Sequence, residues 1–379
     1  MNETEAPFGF EIDFLPVGNG EDSGDAICMR WGYGLETATP DQFVMIVDGG
    51  YCETGTEVVS HIKKYYFQDG ALPLNIDMVV STHPHQDHIS GLIPIVESAN
   101  NVKWLIMHTP WHHNGLKAWF DDKGGLKEKT IHAKLESGLK TAVELEQLSQ
   151  NEKVLIYEAF APWKSREFKG CAFEVLGPTK EFYESLLPDF NVTPGHGVID
   201  RGKRLNPTGR RVASSQCPLD DNGETSAENE SSVVLLIHIK PKDKYVLLTS
   251  DAGKLSLRRV AQSVVNKNID ISKIDIFQVP HHGSVQNLSP MLLDVLLGNY
   301  KEEKDRVFAR KAVVSVSKKA DVDHPSDTVR NAILERGVRF CATEGRGKWF
   351  YYGDVPKRDG YTNIEYDNNP SGTVREFIV

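Results

Sequence analysis

A chain of 379 residues, 40% hydrophobic and 25% charged, can bury a full core as one large domain or two smaller ones. Its formal charge of -10 argues against broad, unassisted binding to nucleic acid, because phosphate contacts need a positive surface. No apolar stretch is long enough to span a bilayer, the cysteines at 28, 52, 171, 217 and 341 lack metal-type pairing, and no signal peptide precedes Phe8, so a reducing cytoplasm is the expected home and no membrane contact is expected.

In chain order, residues 8–15, 26–31 and 42–47 read as strands of a first sheet, and Val58, Ile62, Tyr65 and Tyr66 predict a helix after the Gly49-Gly50 turn. Ile76-Asp77-Met78-Val79-Val80 reads as a buried strand that ends at Thr82. The loop His83-Pro84-His85-Gln86-Asp87-His88 then runs into a helix whose apolar positions are Ile89, Leu92, Ile93 and Ile95. Trp104-Leu105-Ile106-Met107 is strand-like. Between Lys127 and Gln150, Ile131, Leu135, Leu139, Val143 and Leu148, with Glu136 spaced four residues before Lys140, predict one amphipathic helix.

The segment 189–230 reads as a long inserted loop or flap, with Pro194-Gly195, Pro207-Thr208-Gly209 and Asp220-Asp221-Asn222-Gly223 as breakers. Its first part is basic (Arg201, Lys203, Arg204, Arg210, Arg211) and its second acidic (Asp220, Asp221, Glu224, Glu228, Glu230). Arginines pair well with phosphate, so Arg210 and Arg211 are candidate substrate contacts. Strands near 172–176, 233–239, 245–249, 274–279, 311–316, 338–342 and 348–352 follow, alternating with helices near 254–266, 289–298 and 326–336. The pattern predicts an α/β fold of two sheets face to face with helices outside, four layers in all, and a single domain over 1–379.

The chemistry concentrates at strand ends. Three His and one Asp in the six residues from His83 to His88 have no packing rationale, since unpaired buried polar groups are costly. Imidazole nitrogens and a carboxylate suit zinc, iron or manganese. Tyr245-Val246-Leu247-Leu248-Thr249-Ser250 ends in Asp251, and Ile274-Asp275-Ile276-Phe277-Gln278-Val279 ends in Pro280-His281-His282-Gly283-Ser284. A strand-terminal Asp on its own is more often a helix cap; adjacent His after a strand read as a ligand and its supporting partner. His324, in a His-Pro pair after the Val313-Val314-Ser315-Val316 strand, is a candidate substrate contact or proton donor.

His83-x-His85-x-Asp87-His88, then Asp251, then His281-His282, in that order and each at a strand end, resembles the metallo-β-lactamase superfamily, and within it most closely the metallo-β-lactamase domain of ComEC-type competence proteins. Phe14-Leu15-Pro16-Val17-Gly18-Asn19-Gly20 with Asp25-Ala26-Ile27, Ile46-Val47-Asp48-Gly49-Gly50, Val175-Leu176-Gly177-Pro178, Asn229 with Ser231 or Ser232, and Asp323-His324-Pro325 fall in that group's order. The likeness runs from about residue 11 to about residue 352. The chain departs from that group in having His85 for Asp, Ser250 for Gly and Asn19 for Gln, and in the extra residues Glu21 to Gly24.

The resemblance implies the αββα metallo-β-lactamase fold and two divalent metal ions, zinc or manganese. His83 and His85 would hold one ion and Asp87 and His88 the other, with His281 or His282 closing the second site and Asp251 bridging the two. A hydroxide between the ions would be the nucleophile, with Asp87 and Asp251 serving that chemistry as well as holding metal. Asp48 would orient a ligand His rather than bind metal, and Ser284 and Asn229 would contact substrate. The wider superfamily has a further His between the first cluster and the bridging Asp. Here His108, His112, His113 and His196 compete, and the strand before Trp111-His112-His113-Asn114 favours His112 or His113.

The expected activity is that of a metal-dependent phosphodiesterase, a nuclease acting on DNA. Hydrolysis of a small ester, lactone or cyclic nucleotide is the alternative that the acidic charge favours. A third reading is a non-catalytic module that binds a protein partner through the flap and surface Trp residues.

Overall fold

The computed structural model describes residues 6–18, 22–120, 126–190, 219–220, 224–320, 324–359 and 361. Among them, fourteen strands form two seven-stranded sheets. The first contains β1 (Phe8–Phe14), β2 (Ala26–Tyr33), β3 (Asp41–Gly49), β4 (Asn75–Val80), β5 (Asn101–Ile106), β6 (Leu155–Tyr157) and β14 (Lys348–Gly353), in the order β14-β1-β2-β3-β4-β5-β6. The second contains β7 (Trp163–Lys164), β8 (Cys171–Gly177), β9 (Val234–Ile239), β10 (Lys244–Leu248), β11 (Ile274–Gln278), β12 (Arg310–Val314) and β13 (Val338–Ala342), in the order β13-β12-β11-β10-β9-β8-β7.

Each sheet is antiparallel in one half and parallel in the other. β14 to β3 pair antiparallel and β3 to β6 parallel. β7 to β10 pair antiparallel and β10 to β13 parallel. Parallel neighbours end on the same side, so loops leaving β3, β4, β10, β11 and β12 share one rim.

Alternation along the strands separates three cores. Phe43, Met45 and Val47 of β3 join Leu235, Ile237 and Ile239 of β9 in the core between the sheets, where Trp31 stacks on Phe43 at 4.7 Å. Val44 and Ile46 face the other way. They meet α1 (Cys52–Tyr65), α2 (Gln86–Ile89), α3 (Leu92–Ser98), α4 (Lys117–Phe120), α5 (Glu128–Gly138) and α6 (Lys140–Asn151) through Val58, Ile62, Ile89, Leu92, Ile95, Phe120, Ile131, Leu135 and Leu145. Behind the second sheet, α9 (Lys254–Asn266), α10 (Pro290–Leu297) and α11 (Asp327–Leu334) bury Leu257, Val260, Leu293, Leu296 and Ile333 against Leu236, Phe277 and Val314. Two short helices, α7 (Lys180–Leu186) and α8 (Ala227–Glu230), lie between β8 and β9 in sequence. The result is the predicted αββα sandwich.

Three expectations change. The single helix over 127–150 is two, α5 and α6, broken at Leu139 (φ -105°, ψ 41°) directly after Gly138. The apolar spacing runs on across the break, because both helices pack on the same core. The helix after His88 is also interrupted, at Ser90-Gly91, where Gly91 lies against the β3 turn: a Cβ on Gly91 would stand 1.9 Å from the Gly49 carbonyl oxygen. Finally, β14 leaves the second half of the chain and pairs antiparallel with β1 in the first sheet. The short strands β6 and β7 carry too few residues for a periodic signal.

On the outer face of β1 and β2, Glu11, Asp13 and Arg30 are buried and linked. Arg358 donates to Asp13 at 2.7 Å and to Glu11 at 2.6 Å, and the Tyr66 hydroxyl donates to Asp13 at 2.7 Å. This pairing lets charged side chains stay buried on the face that strand alternation directs away from the core between the sheets. Among the described residues, no helix is long and apolar enough to cross a membrane.

Candidate metal centre

The shared rim gathers the strand-end residues. Asp48 lies one residue before the end of β3 and β4 leads into His83, both buried. Asp48 accepts from the Thr82 backbone N–H at 2.9 Å, from the Thr82 hydroxyl at 2.6 Å and from His88 Nδ1 at 2.9 Å. A proton on His88 Nδ1 satisfies that last bond, and Nε2 faces the opposite side. Opposite lies Asp251, whose Oδ2 is 3.5 Å from His88 Nε2 and 3.8 Å from His83 Nε2. His83 Nε2 is also 3.1 Å from His85 Nδ1.

A second group forms beside the first. Asp87 Oδ2 lies 3.7 Å from His88 Nε2 and 3.8 Å from His282 Nε2. His282 donates through Nδ1 to the Ser315 carbonyl at 2.8 Å, which again leaves Nε2 facing the cluster. Ligand-capable atoms of His83, His85 and Asp251 lie within 4.8 Å of one another, as do those of Asp87, His88 and His282, of Asp25, His88 and Asp251, and of Asp48, His83 and His88.

His281 is in none of these groups of three. Its Nδ1 donates to Asn287 Oδ1 at 2.9 Å, and the Asn287 amide is oriented by donating to the carbonyls of Asp251 and Ala252. Its Nε2 stands 3.7 Å from Asp251 Oδ2 and 3.3 Å from the Asn229 amide nitrogen. The two adjacent His therefore separate, with His282 in a group of potential ligands and His281 at its edge. Their hydrogen-bond partners differ, Asn287 for His281 and the Ser315 carbonyl for His282, while the backbone of both is left-handed, at φ 48° and φ 55°.

Asp48 (φ 57°) and Ser250 (φ 46°) share that conformation. Such residues cost about 1–3 kcal/mol each and persist where surrounding bonds over-determine them.

The protein's own charges polarise the site. Burial pushes the His83 imidazolium well below its usual range, and His88 and His85 add to the effect. Burial acts the same way on His88, but Asp251 and Asp87 outweigh it and hold His88 well above. Burial also opposes ionisation of Asp251 and Asp87, yet neighbouring His residues win and both carboxyls are held down. Asp25 is pushed up, chiefly by burial.

A cation fits what these atoms lack. The Nε2 atoms of His88 and His282 and Oδ1 of Asp251 are buried and have no hydrogen-bond partner among the described residues. A buried polar atom without a partner costs about 1–3 kcal/mol. A mixed set of imidazole nitrogens and carboxylate oxygens suits zinc or manganese.

Other candidate residues lie elsewhere. His112 Nε2 is 2.8 Å from Glu146, and His113 is held on both sides, with Nε2 at 2.9 Å from Glu158 and Nδ1 at 2.9 Å from Glu184. Neither joins a described group of potential ligands. His108 stacks on Phe160 at 4.3 Å, and His196, Arg210 and Arg211 lie outside the described residues, as does most of the segment 189–230, whose described end, Ala227–Glu230, is the helix α8. Asn229 is buried, Ser284 Oγ accepts from the Gln286 backbone, and the His324 ring is 6.2 Å from that of His281. Asp25 and Gln278 are members of the site that strand-end reasoning passed over. Asp25 precedes its strand and Gln278 ends one as an ordinary amide, so neither has a local signature.

Residues 38–202 match a family model described as Metallo-beta-lactamase superfamily. Among solved structures, the chain is similar to Zn(2+)-bound PqqB from Methylobacterium extorquens, at 10% identity over 90% of this chain and 99% of that one, TM-score 0.40. A long-form RNase Z from yeast is 9% identical over 83% of this chain and 38% of that one, TM-score 0.37. A metallo-beta-lactamase from Cronobacter sakazakii is 10% identical over 70% and 76%, TM-score 0.31. No curated protein matches the chain.

Proposed function

We propose that this chain, whose residues 38–202 match the metallo-β-lactamase superfamily model, is a metal-dependent phosphodiesterase, with DNA as its substrate. The observation that carries the metal-dependent part is the convergence of His83, His88, His282 and Asp251 with buried ligand atoms left unpaired. His83, His85 and Asp251 would hold one ion, and Asp87, His88 and His282 the other, with Asp251 near both. When bound, two divalent cations supply Lewis acidity, lowering the pKa of water and neutralising charge that develops on the oxygens of an ester under attack.

The chain's own residues prepare for this. Asp48 and the Ser315 carbonyl set the tautomers of His88 and His282, so that each offers Nε2 without rotating. Asn287 holds the His281 ring beside Asp251, where it can contact a substrate oxygen.

The choice of phosphodiester rests on the ordered likeness of the motifs to ComEC-type domains and on the basic composition of the first part of the segment 189–230. The formal charge of -10 favours a second reading, hydrolysis of a small ester, lactone or cyclic nucleotide. Elemental analysis of purified protein, followed by rates on single-stranded DNA, a cyclic dinucleotide and a lactone, separates the two. Cleavage of DNA at a rate well above the others is the expected result; hydrolysis of the lactone alone would replace the proposal.

A further inference from the structure

We propose that Gln278 is a positioning residue, one amide that holds the Asp251 turn of the second sheet in register with the Asp25 and Asp87 segment of the first. This inference rests on the metal-dependent reading above. Gln278 ends β11 and is 2% exposed. Its Oε1 accepts from the backbone N–H groups of Thr249 at 3.0 Å and Ser250 at 2.9 Å, and its carbonyl accepts from the Thr249 hydroxyl at 2.8 Å. These bonds fix the turn in which Ser250 is left-handed and from which Asp251 projects.

The other end of the same amide reaches across the sandwich. Gln278 Nε2 donates to Asp25 Oδ2 at 2.8 Å, and that oxygen lies 3.8 Å from His88 Nδ1. Asp25 is itself stitched to the ligand loop: its N–H donates to the Asp87 carbonyl at 3.2 Å, and its carbonyl accepts from Gly50 N–H at 2.8 Å. Displacing Gln278 would therefore shift Asp251 and Asp87 relative to each other, through hydrogen bonds that run by way of the backbone at 249–250 and of Asp25.

The residue type follows from this geometry. An amide of this length accepts from two backbone donors at one end and donates to a carboxylate at the other. Glutamate keeps the first function and sets an acceptor against Asp25. Methionine keeps the volume and loses both.

Gln278→Glu and Gln278→Met, prepared as the full chain, test this against wild type by zinc and manganese affinity in chelator competition, by thermal melting after chelation, and by kcat and KM. The expectation is cooperative melting of both chelated variants, metal affinity reduced about 10–100-fold, a larger loss for Gln278→Met, and a fall in kcat that exceeds the rise in KM. Wild-type metal affinity in both variants would overturn the inference and leave the metal-dependent reading standing. Failure of the chelated variants to fold would overturn it by making Gln278 a determinant of the fold. Wild-type protein that takes up neither metal would defeat the metal-dependent reading, and this inference with it.

Discussion

The Asp251 carboxylate stands 3.8 Å from Nε2 of His83, although the one residue follows β10 of the second sheet and the other follows β4 of the first. Each is buried, and the His83 imidazolium is disfavoured there by burial and by the neighbouring His residues. A salt bridge is thus a poor description of the pair. Under the proposed function, the two atoms would instead share a cation.

Replacing either residue tests that description. His83→Ala and Asp251→Ala should each bring hydrolysis to background and remove bound metal, while circular dichroism shows an intact fold. Retained turnover in either variant, with metal still bound, would contradict the assignment.

Metal should also stabilise the protein. A ligand that binds only the folded state at 100 times its Kd adds about 2.7 kcal/mol. Chelated protein should therefore melt at lower temperature and recover when zinc or manganese is restored, as followed by scanning calorimetry. An unchanged melting temperature through that cycle counts against a built site.

Acid stability should depend on a cluster on the outer face of the first sheet. Burial opposes ionisation of Asp13, but His61 and Arg358 outweigh it and pull its pKa from the ordinary 3.8 to about 2. The folded value is the lower one, so the stabilisation is fully present above the unfolded value and is lost as pH falls through the folded value near 2. The difference corresponds to roughly 2–3 kcal/mol. Urea unfolding of wild type and Asp13→Asn between neutral pH and pH 2 measures it. The variant should be less stable at neutral pH and lose less on acidification; parallel curves would refute the assignment.

Gly91→Ala probes the close approach that seats the ligand helix. Its Cβ would stand 1.9 Å from the Gly49 carbonyl oxygen and 2.8 Å from that of Tyr51. Overpacking of this kind costs about 1–3 kcal/mol. Since Gly49 follows Asp48, the variant should also bind metal more weakly. A denaturation midpoint equal to wild type would show that the backbone yields there without cost.

Residue order alone determined the strands that carry chemistry, the apolar faces of the helices and the concentration of ligand-type side chains at strand ends. These are local properties: alternation, helical spacing and the cost of burying polar groups act within a few residues of one another. The same locality explains why one long helix was expected over 127–150. The core-facing stripe of α5 continues into α6, and only packing reveals the break at Leu139.

Tertiary structure decided the choices among equivalent side chains. Nothing local distinguishes His281 from His282; the opposite faces they present follow from Asn287 on one side and the Ser315 carbonyl on the other. His112 and His113 follow a strand as ligands do, yet Glu146, Glu158 and Glu184 claim their nitrogens. Asp25 and Gln278 meet only because the two sheets bring their rims together. Burial makes the difference: once water is excluded, each polar atom must find a partner in space, and that partner comes from whichever distant strand packs beside it.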